Sequence, residues 1–308
     1  VKIKYGMHYI FSKNRMITIL ANLYNFINKK KTRSLAYYCI GEILYKLKNF
    51  QNASVFYQKY CEINPENDYI LMKLGNSYHR LEHYEPAIDC YEKARKINKY
   101  NFEVVSNLGL TYYFTKKYVE SINIFKISLE LKPSNFEAWL MIAVSSEKIG
   151  SNKEAINYYK KYLSLFPYDS DCLYALGKLY ERLGKASKAL NLYKTFSELK
   201  PDFAEIWKLI ANIEMKKKDY ENSIFSFNCY LSLNIDDFEA WDNLGNCYIE
   251  MKDYDNAIKS FKKALEIDEY QAEIWEKLAT LHTIIENHEK SIRFQRIAQD
   301  LKKAVTFT

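Results

Sequence analysis

Apolar residues along this chain recur at helical spacing and break at regular intervals. From Trp241, the residues Leu244, Gly245 and Tyr248 follow at i+3, i+4 and i+7, and after a short polar break Ala257, Phe261 and Ala264 do the same. The pattern predicts two helices joined by a tight turn. The same pair is written repeatedly: DDFEAWDNLGNCY from Asp236 returns as NFEAWLMIAVSSE from Asn135 and as DFAEIWKLIANIE from Asp202. All four tryptophans (Trp139, Trp207, Trp241 and Trp275) lie 34 or 68 residues apart, which predicts an internal repeat. Eight repeats follow without insertion, starting at Ser34, Asp68, Phe102, Phe136, Ser170, Ala204, Phe238 and Ala272.

Other residue types keep the same phase. Gly41, Gly75, Gly109, Gly177 and Gly245 hold the eighth position, and Ala143, Ala211 and Ala279 hold it elsewhere. Glycine within a helix costs about 1 kcal/mol against alanine, so a recurrent one needs a packing reason. The expectation is a neighbouring helix backbone that passes too close for a side chain. The twentieth position is Ala or Ser. The twenty-fourth is aromatic in seven repeats (Tyr57, Tyr91, Phe125, Tyr159, Tyr193, Phe227 and Phe261), with Gln295 in the eighth. Large knobs facing small holes, repeat after repeat, give a core that grows along one axis. Gly150 and Gly184 stand where first helices should stop, and Pro65, Pro133, Pro167 and Pro201 where second helices should stop. Pro86 falls at the start of a second helix, where its missing N–H is harmless.

This signature of Trp, Leu, Gly, Tyr, Ala, Phe, Ala and Pro closely resembles the tetratricopeptide repeat family, and the seventh repeat carries it nearly whole, with Glu269 in place of Pro. The resemblance implies an all-α solenoid, a right-handed superhelix of antiparallel helix pairs, over residues 34–305, with 306–308 as a tail. Residues 1–33 follow the phase loosely (Ile3, Met7, Ile10, Ile19, Leu23, Phe26) and read as a degenerate basic helix pair capping the N-terminal end.

Composition sharpens this picture in three places. First, the net charge of +7 is uneven, since residues 1–33 hold eight Lys or Arg and no acid. The remainder holds 37 basic and 38 acidic side chains. Lys13, Arg15, Lys29, Lys30, Lys31 and Arg33, with Lys2 and Lys4, therefore form a candidate basic patch for an acidic partner or an anionic surface. Nucleic acid is disfavoured, because the near-neutral repeats would not prolong the footprint. Second, the six cysteines (Cys39, Cys61, Cys90, Cys172, Cys229 and Cys247) form no CxxC and no repeated spacing. They read as small buried or half-buried thiols in a reducing compartment, with a cytoplasmic setting expected. Third, no apolar run reaches the roughly 18–20 residues that span a bilayer. The chain starts at Val1 and reads as an excerpt, so a leader or anchor upstream stays open.

Little in the sequence suggests chemistry. There is no glycine-rich phosphate loop, HExxH or nucleophile elbow, and neither catalysis nor a cofactor is expected. His79 and His83 form an HxxxH pair, half of a metal site at most, and read as surface histidines near a helix end. Glu137, Glu205, Glu239 and Glu273 all take the second position, where acid suits a helix N-terminus.

What the resemblance does imply is a groove for a protein or peptide partner. In the family, the second, fifth, sixth, ninth, twelfth and thirteenth positions of each repeat face the ligand. Here they supply an apolar stretch in the third to fifth repeats: Leu110, Tyr113, Phe114, Leu140, Val144 and Tyr174. In the sixth to eighth they supply a polar one: Lys208, Asn212, Asn243, Asn246 and Lys277. The leading expectation is a non-catalytic interaction scaffold within a larger protein or assembly. One alternative is the substrate-selecting arm of a glycosyltransferase-like enzyme, although only Asn107 and Asn243 supply the asparagine ladder of those relatives. Another is a co-chaperone whose carboxylate clamp would use Lys208, Asn212, Asn243 and Lys277. There Glu273 stands where a second Lys belongs, and Lys277 replaces an Arg.

Overall fold

The computed structural model describes residues 33–306 and is all-helical, with sixteen α-helices among the described residues. The fold divides between Leu165 and Phe166 into two compact bodies. The N-terminal body holds α1 (Arg33–Lys46), α2 (Phe50–Ile63), α3 (Asp68–Arg80), α4 (Tyr84–Ile97), α5 (Phe102–Phe114), α6 (Tyr118–Leu131), α7 (Phe136–Lys148) and α8 (Asn152–Leu165). The C-terminal body holds α9 (Ser170–Arg182), α10 (Ala186–Leu199), α11 (Ala204–Lys216), α12 (Tyr220–Leu233), α13 (Phe238–Glu250), α14 (Tyr254–Ile267), α15 (Ala272–Ile284) and α16 (His288–Thr306). Of the basic N-terminal patch, Lys13, Arg15, Lys29, Lys30 and Lys31 lie outside the described residues, as do Lys2 and Lys4. Arg33 opens α1.

The turn inside every pair has one conformation. The fifteenth position is left-handed in all eight repeats, at Lys48, Glu82, Lys116, Gly150, Gly184, Lys218, Lys252 and Glu286, with φ between 57° and 81°. Glycine serves this backbone without strain, whereas the six Lys and Glu residues adopt it at a cost. Their recurrence shows that the helix pairing dictates the turn. The last residue of four repeats caps the next first helix: Asn67, Asn101, Asp169 and Asp237 accept from the amides of Ile70, Val104, Cys172 and Ala240.

The tryptophan period has a physical cause. The indole N–H groups of Trp207, Trp241 and Trp275 each donate over 2.8 Å to a carbonyl six residues earlier, on Pro201, Ile235 and Glu269. Each indole thus ties the end of one repeat to the first helix of the next.

The recurrent glycines correct the expectation of a close backbone. What a Cβ would meet is a ring: at Gly75 it would lie 2.7 Å from Tyr91 Cε1, and at Gly245 2.5 Å from Phe261 Cε1. Gly41, Gly109 and Gly177 face Tyr57, Phe125 and Tyr193 in the same way. The aromatic of the second helix lies across the first helix of its own repeat. The rings of Tyr57, Tyr91, Tyr193 and Phe261 are among the largest fully buried side chains, beside alanines of zero exposure such as Ala53, Ala87, Ala189 and Ala257. No disulfide joins the six cysteines, and burial pushes the Cys90 and Cys172 thiols up to about 12, which suppresses the reactive thiolate.

Candidate functional site

In the C-terminal body the first helices α11, α13 and α15 carry the polar candidates. Lys208 on α11 lies 2.8 Å from Asp237 Oδ2 and 3.1 Å from Glu239 Oε2. Asp237 also accepts from the Tyr230 hydroxyl and caps α13 through the Ala240 amide. Burial pulls the Asp237 carboxyl upward, but hydrogen bonds from Lys208, Tyr230 and Ala240 overcome that and hold it below the usual carboxylate range. Burial likewise lowers the Lys208 ammonium, and its two carboxylate partners more than reverse this. Lys277 on α15 is held by Asp242 Oδ1 at 2.5 Å. Both lysines of the polar stretch are therefore neutralised within the chain.

The asparagines differ. Asn212, Asn243 and Asn246 are half-buried, and none of the three takes a hydrogen bond from another described residue. Each amide offers two donors and an acceptor to whatever lies against this face.

The apolar candidates divide between the bodies. Leu110, Tyr113, Phe114, Leu140 and Val144 belong to the N-terminal body and Tyr174 to the C-terminal one. Tyr174 packs on its own surroundings, with ring centroids 5.8 Å from Phe196 and 6.1 Å from Phe203. Leu110 packs partly against the core around Ile122, Phe125 and Ile142. Phe114 is 48% exposed and stacks on Tyr84, with planes 4° apart. His79 stands edge-on to both rings. Leu140 and Val144 are half-buried on α7.

A cleft of about 280 Å³ opens in the N-terminal body, lined by Tyr45, Asn76, His79, Arg80, Tyr91, Glu103, Asn107 and Leu110. Of these, only Leu110 belongs to the groove residues expected from the sequence. Asn76, Arg80, Glu103 and Asn107 hold the ninth, thirteenth, second and sixth positions, so the same phase rule marks them once it is applied to the second and third repeats. The HxxxH pair does not act as a unit: His79 faces this cleft, while His83 precedes α4 and lies beside Tyr78. Among the described residues no group of three or more His, Cys, Asp or Glu side chains is placed to hold a metal. No described helix is long and apolar enough to cross a membrane.

Family models for the tetratricopeptide repeat match residues 34–67, 69–101, 106–170, 149–213 and 238–270. The chain belongs to the tetratricopeptide repeat family. As a tetratricopeptide repeat protein it is a protein-interaction scaffold. Two solved structures agree on the fold. The C-terminal part of a repeat-containing protein from Cytophaga hutchinsonii gives a TM-score of 0.63 at 18% identity, covering 76% of this chain and 96% of that one. YrrB, described as a TPR protein with an unusual peptide-binding site, gives 0.51 at 19% identity, covering 60% and 95%. A MamA crystal structure gives 0.48 at 21% identity, covering 54% and 98%. A comparison with curated protein sequences gives no match.

Proposed function

We propose that the C-terminal body holds an internal, extended segment of a protein partner along α11, α13 and α15. The observation that carries this reading is the contrast between Asn212, Asn243 and Asn246, which have no hydrogen-bond partner among the described residues, and Lys208 and Lys277, which are already paired with acids. An extended peptide presents N–H and C=O groups that carboxamides satisfy without regard to side chain. A C-terminal carboxylate, by contrast, would have to displace Asp237, Glu239 or Asp242 from the lysines. Two lysines among Asp237, Glu239, Asp242, Glu273 and Glu276 leave this face acidic, which favours a neutral or basic segment. The protein acts here as a non-catalytic scaffold.

Selection of peptides from a displayed random library, followed by calorimetry, tests this. Selected peptides should bind equally with a free or amidated C-terminus and should lose about tenfold when Asn243 becomes Ala. A requirement for the free carboxylate would restore the clamp and overturn the reading.

A further inference from the structure

The cleft of the N-terminal body has its hydrogen-bonding atoms fixed by their neighbours. The Thr111 hydroxyl has one hydrogen and donates it to the Asn107 carbonyl at 2.7 Å. Its 3.0 Å contact with His79 Nδ1 therefore needs the imidazole to donate, which puts the ring proton on Nδ1 and leaves Nε2 as an acceptor. Burial, and then the charge of Arg80, push the His79 pKa down and keep the ring neutral. Nε2 takes no hydrogen bond from the described residues.

The two asparagines are fixed in the same way. Asn76 Oδ1 accepts from the Tyr91 hydroxyl at 2.7 Å and from Asn107 Nδ2 at 2.9 Å. Asn76 Nδ2 and Asn107 Oδ1 remain without partners among the described residues, one a donor and the other an acceptor. Tyr45, Tyr91 and Leu110 supply apolar wall. Arg80 and Glu103, both exposed, line the same cleft with opposite charges, and neither is in an ion pair with another described residue. Either sign of ligand charge meets one like charge, whereas a neutral group meets none.

A donor and an acceptor, a fixed acceptor nitrogen and balanced charge are complementary to a primary carboxamide, which itself carries one carbonyl and one NH2. The volume suits one side chain with its main-chain unit and falls short of the usual small-molecule range. We propose that this cleft reads an Asn or Gln side chain of a partner polypeptide. The inference concerns a different body from the segment-binding face above and stands or falls separately from it.

The test is an NMR titration of the full chain, 15N-labelled, with blocked single amino acids: N-acetyl-glutamine N-methylamide and its glutamate, lysine and norleucine counterparts. The glutamine probe should shift the side-chain amides of Asn76 and Asn107 saturably, and the other three should bind at least fivefold more weakly. Asn107→Ala should abolish the shifts at Asn76 with the melting temperature unchanged, since Tyr91 keeps its partner. His79→Phe keeps the aromatic neighbours, removes the acceptor, and should weaken the glutamine probe by fivefold or more. Lowering the pH until Nε2 takes a proton should weaken it as well. Equal shifts with all four probes, indifference to Asn107→Ala, or no saturable shift up to the solubility of the glutamine probe would each overturn the assignment.

Discussion

The Tyr193 hydroxyl donates to Glu181 Oε2 over 2.9 Å, while the ring of the same tyrosine lies across the backbone of Gly177. One side chain thus spans the first helix of its repeat, fully buried at the ring and anchored at its tip. The pattern extends to other repeats. Tyr159 likewise reaches Glu147 at the position Glu181 holds, while Tyr57 and Tyr91 reach Glu42 and Asn76, three residues earlier in their repeats.

Gly177→Ala sets two effects against each other. Alanine gains about 1 kcal/mol of helix propensity, but the new methyl would overlap the Tyr193 ring, and overpacking costs about 1–3 kcal/mol. Overlap should win, so a lower urea midpoint is expected, with a net loss of roughly 1 kcal/mol. A stabilised variant would show that the ring moves aside freely.

At the intra-repeat turn the opposite substitution should help. Lys218 has φ 62° without the freedom of glycine, so Lys218→Gly should stabilise by up to about 1 kcal/mol. Gly150→Ala, at φ 81°, should destabilise by about 1 kcal/mol or more. Thermal melts of the two variants should move in opposite directions.

His282 is 4% exposed, and neither ring nitrogen has a hydrogen-bond partner among the described residues. Burial first, then Lys290 on α16 and Lys262 on α14, lower its pKa from the ordinary 6.5. The unfolded chain therefore binds this proton more readily than the folded one. Stability from this site is full above about pH 6.5 and declines as the pH falls from there through the depressed folded value. Urea midpoints at pH 7.5 and 5.5 should differ less in His282→Phe than in the parent. An unchanged difference would remove His282 as the cause.

Most of the fold was legible because each repeat restates it. Trp, Gly, Ala and Pro at fixed phase mark helix ends and core contacts, and the structure adds the reasons: an indole–carbonyl tie for Trp207 and a ring for Gly177. The left-handed turn was legible only at Gly150 and Gly184, because Lys and Glu elsewhere accept that backbone under tertiary constraint. Charge partners were harder to read. Phase places Lys208 on the groove face but says nothing of Asp237 and Glu239, some thirty residues later, which occupy it. Nor does it show that Glu214, 1% exposed, is held by Lys194 and Ser226 inside the core.

The Lys208 pair yields its own prediction. At 21% and 16% side-chain exposure, Lys208 and Asp237 are shielded enough for their charge-assisted bonds to count. Lys208→Ala should cost about 1.5–3 kcal/mol. Because Asp237 is depressed, the contribution it shares with Lys208 is present above the ordinary carboxylate value of 3.8 and is lost as the pH falls through the folded value. Chemical denaturation of parent and variant at pH 7 and pH 3 should show the gap narrowing in acid.

The most direct test of the scaffold reading watches the three asparagines themselves. With 15N-labelled protein and a library-selected peptide, the side-chain NH2 signals of Asn212, Asn243 and Asn246 should shift together and saturate with the same affinity that calorimetry gives. N-methylation of the peptide backbone opposite them should weaken binding about tenfold, while amidation of its C-terminus should change nothing. Saturable binding that leaves all three NH2 signals unmoved would contradict the account.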